Sequence, residues 1–281
     1  MFSEVKKGSI GFSKLASLIV IIIGILLVIA ILLSFGKSTT SLEEEQVCRT
    51  SLLLQKSTDF NIPSTSPVVE NVCKTMTREI SPKAYSSQEI YQELANYLAQ
   101  TAWMIDFGNV QNMWSSRGVF SNSACVIIYD ITLPELSNLH EQEVLTYSLL
   151  NAYLDNTLYK TIDDIPYTYM NYIHSHPDML DKNQVLLWPF LSSQDQEHLD
   201  TTAKKDFLHE LSKKEFTQNS RLAITVMQKN SGYIQLTWKT LFFGVGPVAV
   251  LDYFSDNYIS ATTIGLMSFS EAELMGCEHI V

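Results

Sequence analysis

Hydrophobic and polar positions follow three different patterns along the chain. The first is an unbroken apolar run, Leu15 to Phe35, bounded by Lys14 and Lys37. About 21 residues at ~1.5 Å rise span ~30 Å, the thickness of a bilayer's hydrocarbon core. The run therefore predicts one transmembrane helix, and no second run of that quality follows. The second pattern is helical. It covers Leu42–Gln55, then a helix capped by Ser86 or Ser87 with Glu89 in its first turn. There Ile90, Leu94, Leu98 and Ile105 recur at helical spacing, joined by Tyr91, Ala95 and Ala102, until Gly108 stops them. Asn138–Leu158 is a further helix with Val144, Leu145, Leu149, Ala152 and Tyr153 as its buried stripe, and Thr201–Lys214 reads as an exposed amphipathic one.

The third pattern alternates. In Cys125–Leu133, Ile127, Tyr129, Ile131 and Leu133 share one face of a strand ended by Pro134. Val68–Val72, Lys74–Ile80, Leu222–Gln228 and Ile259–Phe269 are further strands, with a short helical turn at Glu271–Leu274. Asn230-Ser231-Gly232 signals a turn into a second hairpin strand, Tyr233–Lys239. Helices and strands without repeated βαβ units predict an α+β fold with a mostly antiparallel sheet and packed helices.

The predicted organisation is a short basic cytoplasmic tail (1–14), a transmembrane helix (15–35), a membrane-proximal helix or stalk (36–56) and an extracytoplasmic α+β domain (57–281). A cleaved signal peptide is the competing reading, but its apolar region runs only ~7–15 residues. Lys6, Lys7 and Lys14 precede the run, and the acidic Glu43-Glu44-Glu45 follows it. The lysine excess puts the N-terminus in the cytoplasm and the large domain outside a cell membrane crossed once.

Charge narrows the partners. The chain's formal charge is −11; residues 1–36 hold three Lys and one Glu, so the remainder carries −13. Such acidity excludes nucleic acid, which is bound by neutralising phosphates with Lys and Arg. The expected partners are the lipid bilayer, through residues 15–35, and a protein partner or further copies of the chain.

Four cysteines, Cys48, Cys73, Cys125 and Cys277, all fall on the predicted outer side. An even count there points to disulfides, with three connectivities open. The turn-rich stretch Asn61-Ile62-Pro63-Ser64-Thr65-Ser66-Pro67 lets the chain double back and favours Cys48–Cys73, leaving Cys125–Cys277. No Cys-x-x-Cys pair favours zinc instead.

Catalytic signals are sparse. His174-Ser175-His176-Pro177-Asp178 puts two imidazoles on one face of an extended segment, with Asp178 or Asp181 near enough to complete a zinc or iron site. The competing reading is an ordinary surface turn, which His-Pro-Asp also encodes. Glu197-His198 with Asp200, and His209-Glu210, fit solvated helix faces. No Gly-x-Ser-x-Gly elbow occurs, and Pro247 spoils Gly244-Val245-Gly246 as a phosphate cradle. The uncharged stretch Leu241–Leu251 is too short to span a bilayer and reads as core or as an apolar contact tip. Trp188-Pro189-Phe190 with Tyr153, Tyr159, Tyr167, Tyr169 and Tyr172 forms either a binding surface or core packing. No catalytic residue and no cofactor is assigned.

Several short stretches together carry a resemblance: Cys48-Arg49-Thr50-Ser51, Cys73-Lys74-Thr75, Ala102-Trp103-Met104 with Asp106-Phe107-Gly108, Ala124-Cys125, and Gly276-Cys277-Glu278. The chain resembles uncharacterised single-span surface proteins of ultrasmall archaea. Relatives often carry a further cysteine before the Trp and another just upstream of the strand, where this chain has Ala102 and Asn122. The resemblance implies the same topology and disulfides and supplies no catalytic residue. Lys6-Lys7-Gly8 before the apolar run also resembles the processing site of archaeal pilin-like proteins, without the acidic residue pilins carry early in the helix.

Three functions are thus expected in order: a non-enzymatic binding or cell-surface assembly protein, a metal-dependent extracytoplasmic hydrolase using His174 and His176, and a pilin-like subunit processed near Gly8.

Overall fold

The computed structural model describes residues 40–58, 73–80, 86–108, 123–133, 145–174, 185–198, 201–216, 220–229 and 262–279. The chain divides into two compact units, Met1–Glu44 and Glu45–Val281. The apolar run Leu15–Phe35 lies outside the described residues, and among those no helix is long and apolar enough to cross a membrane. The elements of the described chain are α1 (Thr40–Thr58), β1 (Met76–Glu79), α2 (Ser87–Met104), β2 (Ser123–Thr132), α3 (Tyr147–Asn156), β3 (Leu158–Ile162), β4 (Ile165–Thr168), α4 (Tyr169–His174), β5 (Val185–Trp188), α5 (Ser193–His198), α6 (Thr201–Lys213), β6 (Arg221–Lys229), β7 (Thr262–Ser268), α7 (Phe269–Leu274) and β8 (Glu278–His279).

The domain is α+β, built on one mixed sheet in the order β1-β2-β6-β7-β5, with β8 also on β2. The expected antiparallel pairing holds at the centre of a sheet that is mixed overall. The long central pairings, β2–β6 and β6–β7, are antiparallel, whereas β1–β2, β2–β8 and β5–β7 are parallel. The reason lies in the connections. Helix α2 carries the chain back to the end of the sheet where β1 began, so β2 must run alongside β1 in the same sense. The predicted hairpin strand Tyr233–Lys239, the Leu241–Leu251 stretch and Val68–Val72 lie outside the described residues; β6 lies antiparallel between β2 and β7.

Helix α2 starts as its sequence requires. The Ser86 hydroxyl accepts the Glu89 N–H, and Ile90, Tyr91, Leu94, Ala95, Leu98, Ala99 and Ala102 are buried. Beyond Ile105 the chain makes a left-handed turn, Asp106-Phe107-Gly108, with φ of 51°, 50° and 80°. Only Gly108 adopts this region without a Cβ penalty. Phe107 is held there by burial and by edge-on packing against Tyr172, 5.2 Å between ring centroids.

Two periodic readings shift in the structure. A bulge leaves Ile128 as an extra residue, because Ile127 pairs with Thr225 and Tyr129 with Ile224. The bulge moves Ile127 off the face that Tyr129 and Ile131 share, so the simple alternation breaks. Both faces are apolar: Tyr129, Ile224 and Ile264 are buried on one, and Ile127, Ala223 and Met267 on the other. Helix α3 begins at Tyr147, with Thr146 as its cap. Its buried stripe is Tyr147, Leu150, Asn151 and Leu154, while Leu149 and Ala152 of the expected stripe are exposed. The rotation follows from Asn151, whose side-chain oxygen accepts the Leu191 N–H at 2.9 Å. A buried amide is stable inside only with such a partner, and periodicity alone assigns it outside.

Candidate functional site

Both disulfides form as favoured: Cys48–Cys73 and Cys125–Cys277. They fit an oxidising, extracytoplasmic location. Their surroundings differ. Around the first, the part of α1 within the larger unit presents Glu45, Cys48, Arg49 and Leu52 to the rest of that unit. Helical spacing aligns them, and Cys48 and Leu52 are 2% and 0% exposed. Glu45, only 6% exposed, accepts the Tyr129 hydroxyl proton at 2.9 Å and lies 3.9 Å from Arg78. The Gln100 amide oxygen is 3.4 Å from the same hydroxyl. Burial, then the Glu45 charge, holds the Tyr129 hydroxyl far above its ordinary pKa, so it acts as a donor. One turn along, Arg49 donates to the Trp103 carbonyl at 2.5 Å, caps the end of α2, lies 4.2 Å over the Trp103 ring and pairs with Asp106 at 3.4 Å.

The second candidate is aromatic. Tyr91, Tyr153, Tyr169, Tyr159, Tyr172 and Phe107 form a continuous chain of ring contacts with centroids 4.7–6.2 Å apart. Pairs at such separations gain ~0.5–1.5 kcal/mol beyond burial. The rings come from α2, α3, α4 and the β3–β4 hairpin. The hairpin turns at Asp163-Asp164, both with positive φ (49° and 64°), as a right-twisted two-residue connection needs. Tyr169 donates to Asn96 at 2.7 Å, and Lys160 donates to the Tyr172 hydroxyl at 3.2 Å while lying 4.5 Å over its ring. Burial first, then Tyr153 and Tyr159, pushes Tyr169 up to about 12. The Tyr169 hydroxyl is therefore neutral at physiological pH. On three of the elements that carry or flank the cluster, α3, β3 and β4, Leu149, Leu158 and Ile165 are 52%, 57% and 54% exposed.

Four of the five tyrosines expected either as a surface or as core packing, Tyr153, Tyr159, Tyr169 and Tyr172, thus meet, with Tyr169 and Tyr172 in the core and Tyr153, Tyr159 and Tyr167 packed half-buried against it. Trp188 and Phe190 do not join them. Both are core, and Tyr147 stacks between Phe190 and Phe216. Of the metal candidates, His174 ends α4, whereas His176, Asp178 and Asp181 lie outside the described residues. Among the described residues no group of three His, Cys, Asp or Glu could hold a metal ion. Glu197 and His209 are exposed, as a solvated helix face requires. Sequence reasoning missed Glu45, Arg78, Gln100 and Tyr129 as one cluster, since Glu45 and Tyr129 stand 84 residues apart. No family model, curated protein or solved structure matches this chain.

Proposed function

We propose that this chain is a membrane-anchored extracytoplasmic protein that acts by binding, as a docking or assembly component of the cell surface, and not by catalysis. The observation that carries this reading is the pairing of more than half-exposed Leu149, Leu158 and Ile165 with a braced tyrosine cluster. Large apolar side chains standing out from elements that a buried aromatic core holds rigid fit a contact surface. Glu45, Arg49, Asp130 and Arg221 make intramolecular pairs and so serve the fold. The apolar run, its lysine flanks, the disulfides and the resemblance to single-span archaeal surface proteins support the address.

Two measurements test the reading. On intact cells, a membrane-impermeant thiol reagent should label the chain only after reduction; four thiols reactive without reductant would sink the outside placement. The triple variant Leu149→Asp/Leu158→Asp/Ile165→Asp should fold with unchanged disulfides yet shift the chain to smaller native assemblies. An unchanged assembly size would sink the contact surface.

A further inference from the structure

We propose that the Cys125–Cys277 disulfide is a redox-labile clasp on the sheet edge, whose opening by a thiol or dithiol reductant releases β8 from β2 while the rest of the sheet stays folded. The edge of β2 is covered by two separate short segments. β1 pairs with Tyr129–Thr132, and β8 pairs with Val126 and Ile127. β8 has only two residues, Glu278 and His279, and Glu278 is exposed. Two residue pairs are too few to offset the entropy of ordering the segment. The covalent bond at Cys277, the residue just before β8, supplies the attachment.

The segment before the clasp is anchored on its own. Ser268 and Glu271 form a reciprocal capping box at the start of α7, and Phe269 and Ala272 are buried. At its end Cys277 N–H bonds the Ala272 carbonyl and Gly276 N–H the Glu273 carbonyl, with Gly276 at φ 74°. That is a complete Schellman cap. Loss of the disulfide therefore frees the residues after Cys277 without unwinding α7. Access is also unequal. Cys48 and Cys73 are 2% and 1% exposed, whereas Cys277 is 7% exposed and its partner Cys125 is partly exposed. Exposed disulfides are the ones reductants reach.

The step balances as ordinary exchange. A reductant thiolate attacks one sulfur of the pair, the S–S bond breaks and the other cysteine leaves as a thiolate that takes up a proton. The second reductant thiol resolves the mixed disulfide and departs as the oxidised reductant, leaving Cys125 and Cys277 as thiols.

The test titrates the native chain with a dithiol, traps thiols by alkylation and reads each cysteine by peptide mass spectrometry, with hydrogen exchange in parallel. Cys125 and Cys277 should alkylate at a dithiol concentration about tenfold or more below that needed for Cys48 and Cys73. Peptides holding Glu278 and His279 should then exchange about tenfold faster or more, while β6 and β7 keep their protection. Both bonds opening together, Cys48–Cys73 opening first, or protection lost across β6 and β7 overturns the proposal. Cys277→Ala without dithiol should exchange like the opened chain, and retained protection at β8 overturns it equally.

Discussion

The two cysteine-tied regions carry the same covalent bond in opposite settings. Cys48–Cys73 sits inside a sealed junction, where Leu52, Glu45 and Arg49 already fasten α1 to the domain. Cys125–Cys277 sits at an edge, where, among the described residues, β8 pairs with β2 through two residues. The first bond reinforces packing; the second substitutes for it. Sequence separation sharpens the contrast, 25 residues against 152. In the chain-entropy model the longer loop constrains the unfolded state more.

The largest expected effects come from the bonds themselves. Cys125→Ser/Cys277→Ser should lower stability by about 5 kcal/mol, and Cys48→Ser/Cys73→Ser by about 3.5 kcal/mol, measured by chemical denaturation. The reverse order would mean that sealed packing around Cys48 outweighs loop length. Next comes an alkaline limb shared by both regions. Burial, then the nearby Glu45 or Glu271 charge, raises the hydroxyl pKa of Tyr129 and Tyr147 above the ordinary value of 10. Their stabilisation is complete below pH ~10 and declines above it, because the unfolded chain loses those protons first. Each contributes a loss of about 1.4 kcal/mol per pH unit, so stability at pH 11 should fall by roughly 2–3 kcal/mol. Tyr129→Phe and Tyr147→Phe should each flatten that limb, and an unchanged slope would contradict the burial. At neutral pH, Tyr129→Phe should cost about 2 kcal/mol, since it removes a bond to a charged, buried acceptor. A double-mutant cycle with Glu45→Gln checks this, and additive losses would dissolve the junction as a unit. The smallest effect is Gly276→Ala. The site has open space for a Cβ, so only φ opposes it, and the cost should be about 1 kcal/mol by thermal melting. A much larger loss would show that the strap at α7 is anchored less independently than its caps indicate.

Legibility in the sequence followed the range of the interaction. The stripe of α2 was readable from Ile90 to Ala102 because helical neighbours lie three or four residues apart. The two disulfide pairings were readable because four outward cysteines leave few options, and a turn-rich stretch lies between the first pair. Tyr153 and Tyr159 announced an aromatic region by density alone. The bulge at Ile128 was not legible, since it depends on where β6 pairs. Nor was the inward turn of Asn151, which needs the Leu191 N–H from a distant loop.

The sequence by itself therefore determined the local grammar: the apolar run Leu15–Phe35, the capped helices, the even cysteine count and the acidic charge. Each is a property of residues near one another or of composition. Tertiary structure alone decided the sense of the strands, because helix α2 returns the chain to its starting end and makes β1 and β2 parallel. It also decided that Glu45 meets Tyr129 and that two residues after Cys277 complete the edge of β2. Those contacts join segments far apart in sequence, and no local periodicity encodes them.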